Sequence, residues 1–208
     1  MYADVLVYCR SPQRWPAAVD YARRLVEPGT GQVQLWAEAT APSAESLSRQ
    51  AAWTDAVLLD GIQDLQQLRE LIQAVARPCL LLPRGTDAPP SPRRIAVGWN
   101  GSLQARRALH AALPLLRAAQ QVVLLQAAGC AETAQVQRFL RRHGVQPDCV
   151  DCGCRGAAGP QLLELCAAQQ ADLLVLGAYA ERGLGEWDGA QTLLPILREH
   201  ALPLLLQH

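Results

Sequence analysis

Short runs of consecutive apolar residues, each followed by a helical pattern, constrain the fold of this 208-residue chain more than any other feature. In the second half, the runs Arg94–Gly98, Val122–Gln126 and Asp172–Gly177 read as strands, and Leu103–Arg117 and Glu132–Arg142 read as helices between them. Continuous apolar strands separated by helices are typical of a parallel sheet that is covered on both faces. The series continues with an extended segment at 145–153, a helix at 160–170, a helix at about 189–200 and a last strand at 203–207. We therefore expect an α/β fold.

The first half repeats this alternation in a shorter form. Asp55–Gly61 parallels Asp172–Ala178, and Pro78–Leu82 parallels Pro203–Gln207. The segment Pro83–Pro92 contains four prolines and a glycine, and it can continue neither a helix nor a central strand. The sequence thus predicts a degenerate module at 1–84, a proline-rich linker at 85–92 and a fuller module at 93–208.

The two halves differ in one spacing that bears on function. Asp55 and Pro78 are 23 positions apart, whereas Asp172 and Pro203 are 31 positions apart, so the second half carries 8 additional residues. They fall in Tyr179–Asp188, between a strand and the helix that follows it. A loop at the carboxyl end of a parallel strand, leading into a helix, is where such sheets bind ligands. We expect a ligand site in the second half and none in the first.

Composition excludes several classes of function. The formal net charge is zero, and all 19 basic residues are arginine, in scattered pairs, so no broad charged surface for nucleic acid or anionic membrane is expected. The first residues lack the pattern of a signal peptide, and no apolar run approaches the ~18 residues that span a bilayer. Seven cysteines, an odd number, favour reduced thiols in a cytoplasmic protein over a disulfide framework.

Four segments of the second half together resemble the universal stress protein family: Ile95–Ser102, Ala105–Leu116, Ala171–Tyr179 and Leu194–His208. The resemblance implies Rossmann-like open parallel sheets of the adenine-nucleotide alpha-hydrolase type, with strand order 3-2-1-4-5 in the C-terminal half. It also implies that the two modules pack through their last strands as a pseudo-dimer within one chain. A homodimer between chains is a further possibility that the resemblance leaves open.

In that family an adenine nucleotide, where bound, lies over the ends of the first and fourth strands, with its phosphates on a G-x2-G-x9-G-[S/T] loop. Gly177 matches the first glycine, whereas Ala180 replaces the second, and its Cβ hinders close approach of a backbone. Gly189 matches the third glycine with a gap that is one residue short, and Ala190 replaces the hydroxyl residue. Asn100 stands where many binders have an aspartate for the ribose.

The resemblance implies the following nucleotide-binding positions: Trp99, Asn100, Gly101, Ser102, Ala127, Gly177, Tyr179, Ala180, Arg182, Gly189, Ala190, Gln191 and Thr192. Three outcomes stay open, namely binding of ATP with or without Mg²⁺, binding of a smaller ligand such as AMP or adenosine, and a vestigial pocket. Pro195 lacks an N–H group, which suggests that the last helix begins later, near Thr192.

A second candidate site is the group of three cysteines within six residues, Cys149, Cys152 and Cys154, which could bind a metal or act as a thiol sensor. In a strand, however, Cys149 points to one face while Cys152 and Cys154 point to the other, so the three thiolates would not converge without a turn. We therefore favour incidental or structural cysteines and keep a metal or thiol sensor as an alternative.

The sequence contains no nucleophile elbow, Walker A pattern or HExxH motif. Phosphoryl transfer usually depends on a metal together with arginine or lysine, whereas the segment 179–188 holds three carboxylates and one arginine. We expect a non-catalytic regulatory protein in stress response that responds to adenine nucleotide or keeps a pseudo-binding site, acting on an unknown protein partner. A slow ATPase or phosphotransferase is the alternative.

Overall fold

A computed structural model describes residues 1–36, 42–62, 64–84, 88–127, 130, 132–153, 159–178 and 189–208, with only the backbone for 189–191. The first half contains β1 (Asp4–Cys9), a 3-10 turn (Pro12–Arg14), α1 (Trp15–Leu25), β2 (Gln32–Trp36), α2 (Ala44–Ala51), β3 (Ala56–Asp60), α3 (Leu65–Ala74) and β4 (Cys79–Leu81). The second half contains β5 (Arg94–Trp99), α4 (Leu103–Ala118), β6 (Gln121–Gln126), α5 (Thr133–Arg142), β7 (Pro147–Asp151), α6 (Gly159–Ala168), β8 (Leu173–Gly177), α7 (Gly189–Glu199) and β9 (Leu204–Gln207). The predicted α/β class is confirmed.

The described strands form one nine-stranded sheet in the order β2-β1-β3-β4-β9-β8-β5-β6-β7. Within the second half, the strands therefore lie in the order third, second, first, fourth, fifth. The first half has the same arrangement with one outer strand fewer.

The two halves meet where β4 pairs with β9. This pairing is antiparallel, with Leu80 opposite Leu205, whereas the other neighbouring strands pair in parallel. The resemblance implies one open sheet in each half, and in the structure the two are joined edge to edge through their last strands into one sheet. Unpaired backbone groups of two apolar last strands would otherwise be left at an exposed edge.

The core consists of two layers, one on each face of the sheet. The helices α1, α4 and α5 contribute to the first layer, and α2, α3, α6 and α7 contribute to the second. Alternate residues of β8 point into different layers: Leu173 and Val175 into the first, Leu174 and Leu176 into the second. Burial on both faces explains why this strand is apolar without interruption.

The last helix agrees with one of its two predicted starts. The apolar pattern predicts a start at about residue 189, and Pro195 suggests a later start near Thr192; α7 begins at Gly189 and contains the proline in its interior, so the first expectation is confirmed and the second is wrong. The missing N–H removes one helical hydrogen bond. Burial of Leu193, Ile196 and Leu197 against the sheet stabilises the helix in compensation, because tertiary packing rather than local propensity supplies most helical stability.

Candidate functional site

The candidate site lies at the carboxyl ends of β5 and β8, which are neighbours in the sheet. The helix that follows β5 packs on one face, and α7, which follows β8, packs on the other. Such a change of direction opens a crevice between the two strand ends. A small cavity of about 30 Å³ is found there, lined by Gly98, Asn100, Ala105, Leu176, Gly177, Thr192 and Leu193.

A tight turn links β5 to α4 at one side of this cavity. The side-chain oxygen of Asn100 accepts a hydrogen bond from the Ser102 backbone N–H at 3.1 Å. Gly101 has a φ of +73°, a conformation in which a side chain is strained. The Ser102 hydroxyl accepts a hydrogen bond from the Ala105 N–H at 3.1 Å and caps α4. The side-chain oxygen of Asn100 therefore stabilises the turn, and Asn100 also lines the cavity.

Gly177 is required here by packing. A Cβ atom at this position would lie 2.4 Å from the backbone N of Ala105 and 2.5 Å from the backbone C of Gln104. Gly98 is crowded in a different way, because its Cβ would meet the end of the Leu176 side chain at 2.4 Å. The glycine that matches the family's phosphate loop thus lets β8 and the start of α4 approach each other.

Thr192 contributes the most informative polar group of the cavity. The residue is only 7% exposed, and its hydroxyl has no hydrogen-bond partner within the described parts of the chain. It lies in the first turns of α7 and lines the cavity together with Asn100 and Gly177. A buried hydroxyl without a partner costs about 1–3 kcal/mol, which marks the position as one that a bound group would satisfy.

The remaining predicted positions are placed as follows. The Trp99 indole packs into the first core layer and does not line the cavity, and its Nε1 is buried without a partner among the described residues. Ala127 donates its N–H to the Trp99 carbonyl at 2.9 Å and is buried. Tyr179, Ala180 and Arg182 lie outside the described residues, and Gly189, Ala190 and Gln191 are described only as the backbone that begins α7.

The cysteines of the second candidate site do not converge where they are described. Cys149 is exposed and accepts a hydrogen bond from the Gln137 amide at 2.7 Å, whereas Cys152 packs against the second core layer. Burial, and in second place the nearby Cys152, raises the pKa of Cys166 to about 12. Cys154 lies outside the described residues, and within them no three His, Cys, Asp or Glu side chains are grouped to hold a metal.

A second, larger cavity was not anticipated from the sequence. It measures about 200 Å³ and lies at the carboxyl ends of β3 and β4 in the first half, where α7 of the second half also reaches it. Its polar lining consists of Arg14, Asp60, Arg84 and His200. One sequence feature could have indicated this cavity: Asp60 stands at the end of a fully buried strand, and a buried carboxylate needs a cationic partner.

Among the described helices, none combines the length and apolar character that crossing a membrane requires.

Comparison with known proteins gives structural relatives only. No family model and no curated protein matches the chain. A universal stress protein from Archaeoglobus fulgidus superposes with a TM-score of 0.60 at 11% identity, covering 84% of this chain and 69% of that one. A functionally unknown protein from Pseudomonas aeruginosa superposes with a TM-score of 0.53 at 16% identity, covering 98% and 81%. A protein of that species assigned provisionally to the universal stress proteins gives 0.51 at 17% identity, with the same coverage. This chain has the fold of the universal stress proteins, which confirms at the level of structure the resemblance seen in its second half.

Proposed function

We propose that the chain is a non-catalytic regulatory protein of the universal stress type, and that its second half responds to an adenine nucleotide, ATP or AMP, at the crevice between β5 and β8. The buried Thr192 hydroxyl, without a described partner and lining that crevice beside Asn100, is the observation that carries the proposal. A nucleotide hydroxyl or phosphate oxygen would satisfy it. The first N–H groups of α7 also favour negative charge at this end of the helix.

The small volume of the crevice suggests how nucleotide binding would change the conformation of the protein. A cavity of about 30 Å³ is the space of about one water molecule, so a nucleotide enters only if the neighbouring segments move. A ligand that binds one of two arrangements more tightly shifts their populations, and a partner protein can read that shift. The segment that would have to move includes the start of α7, which follows the additional residues of the second half.

The lining of the crevice supports a binding role over catalysis. The described residues that line it are apolar or neutral, whereas transfer of a phosphoryl group needs positioned cations or a base. Arg106, on the first turns of α4, has its charge paired with Glu132 by two hydrogen bonds of 2.8 and 2.7 Å.

We also propose that residues 1–84 and 93–208 are two related modules, joined by the linker 85–92 and arranged as a pseudo-dimer. Support comes from their matching strand orders and from the antiparallel contact of their last strands, centred on Leu80 and Leu205. Among the described residues the first module has one outer strand fewer, which agrees with its shorter sequence.

A thermal-shift series with ATP, AMP and adenosine, each with and without Mg²⁺, tests the nucleotide site. At a ligand concentration of one hundred times Kd, binding stabilises by about 2.7 kcal/mol. For a chain of this size that corresponds to a rise in Tm of roughly 5–10 °C.

The matched variant is Thr192→Val, which replaces the hydroxyl with a methyl group of similar volume. We expect it to fold and to lose most of the nucleotide-dependent shift. Equal shifts in both proteins, or no shift with any of the three ligands, would contradict the proposal. Phosphate release measured on the same samples separates binding from turnover.

A further inference from the structure

The 200 Å³ cavity of the first half has an apolar floor and a charged rim. Leucines from α3, β4 and α7, among them Leu65, Leu68 and Leu197, form the floor. The rim lies at the strand ends of the half for which the sequence spacing predicts no ligand site. Because α7 belongs to the second half, the cavity exists only where the two halves meet.

One side of the rim is a fixed ion pair. Asp60 is 3% exposed and accepts two hydrogen bonds from the Arg14 guanidinium, at 2.7 and 3.0 Å. Arg14 also donates to the Pro83 carbonyl at 3.0 Å, which ties the pair to the segment after β4. The charge of Asp60 is thereby balanced, and the pair sets the shape of the opening.

The other side of the rim carries positive charge that the described residues do not balance. Arg84 is exposed and has no hydrogen-bond or ion-pair partner among them. His200 lines the same opening, and one of its ring nitrogens, Nδ1, lies 2.9 Å from the Leu202 carbonyl. Burial lowers the pKa of His200, and the charge of nearby Arg84 lowers it further. With His200 neutral, the described residues of the rim, two arginines and one aspartate, carry one net positive charge.

We propose that this cavity binds a small carboxylic acid with an apolar tail, its carboxylate at Arg84 and its tail among the leucines of the floor. The volume agrees with this class of ligand, since an apolar cavity of about 150 Å³ in another protein suffices for benzene. The charge agrees as well, because a monoanion neutralises the rim. A planar carboxylate also matches the forked geometry of a guanidinium.

Benzoate is a suitable probe, and benzyl alcohol, with the same ring and no charge, is its matched control. Binding to the full chain is measured by ligand-observed NMR and by calorimetry, without nucleotide, so the result does not depend on the crevice between β5 and β8. We expect saturable binding of benzoate and at least tenfold weaker binding of benzyl alcohol.

Two variants locate the site. Arg84→Gln should weaken benzoate binding about tenfold or more, because a charge-assisted hydrogen bond is lost. Leu65→Phe adds volume at a half-buried position of the floor and should abolish binding, while circular dichroism shows that the protein is folded. Arg141→Gln, at the exposed end of α5, is the control and should bind like the wild type.

The proposal is overturned if folded wild-type protein does not bind benzoate, or if benzyl alcohol binds equally well. It is also overturned if Arg141→Gln weakens binding as much as Arg84→Gln does, since the effect would then be one of net charge.

Discussion

Adding one methyl group at each of two glycines near the crevice tests the packing account of the site. In Gly177→Ala, the new Cβ would lie 2.4 and 2.5 Å from backbone atoms of α4, so the helix or the strand must shift. In Gly98→Ala, it would lie 2.4 Å from a terminal methyl of Leu176, and its next neighbours are 3.8 Å away. A change of side-chain rotamer relieves the second clash but not the first.

The difference in free energy of unfolding follows from these contacts. Overpacking against atoms that cannot yield costs about 1–3 kcal/mol and occasionally more. Replacing glycine by alanine in an unstrained conformation returns about 0.4–1 kcal/mol by restricting the unfolded chain. We expect Gly98→Ala to lie within about 1 kcal/mol of the wild type and Gly177→Ala to be about 2–3 kcal/mol less stable.

Urea unfolding at 25 °C, followed by circular dichroism and tryptophan fluorescence, gives both values, and the slope with urea shows whether the transition is comparable among the three proteins. The reasoning is refuted if Gly177→Ala is as stable as Gly98→Ala. That result would mean that α4 and β8 do not approach each other as described, and that Gly177 is free to serve a ligand alone.

Three further outcomes are expected. Arg14→Met leaves the Asp60 carboxylate buried without its partner and should cost about 3 kcal/mol in urea unfolding, whereas the double variant with Asp60→Leu should recover much of that loss. The folded-state pKa of His200 lies below the ordinary 6.5, so near that pH the unfolded chain binds more protons than the folded protein. The free energy of unfolding should therefore fall as the pH drops below 6.5, and it should fall less steeply in His200→Gln. Urea midpoints measured from pH 8 to pH 5 test this. Iodoacetamide with peptide mapping should label exposed Cys149 in the native protein. Burial raises the pKa of three further thiols to about 12, so these should react only after unfolding: Cys9, Cys79 and Cys166.

Local patterns were sufficient to predict much of the fold. Uninterrupted apolar runs such as Leu173–Leu176 identify strands because both faces of a parallel sheet are covered, and each predicted run appears as a strand. Ser102 identifies the start of α4 because its hydroxyl can cap the helix only at that position. The later start for α7 that Pro195 suggests is wrong. That inference considers only the missing N–H of the proline, whereas the packing of the rest of the helix also determines where it begins.

The site was predictable only in part, because its contacts join residues that are distant in sequence. The turn at Asn100 and Ser102 follows from residue types that favour such turns, but the role of Gly177 depends on α4, seventy residues earlier. The side of the sheet to which Trp99 points was predictable, since it alternates in phase with Val97. The ion pair of Arg14 with Asp60 was not, because it requires that β3 and the turn before α1 end at the same place.

The antiparallel pairing of β4 with β9 has a consequence for assembly. The last described strand of each half lies in the interior of the sheet, where its backbone groups pair with the last strand of the other half. Among the described strands, the outermost are β2 and β7, two five-residue strands whose side chains are largely exposed to water. Short edge strands with exposed side chains are poor templates for the addition of another strand. Association of a second chain is therefore expected through helices or loops rather than through the strands that join the two halves.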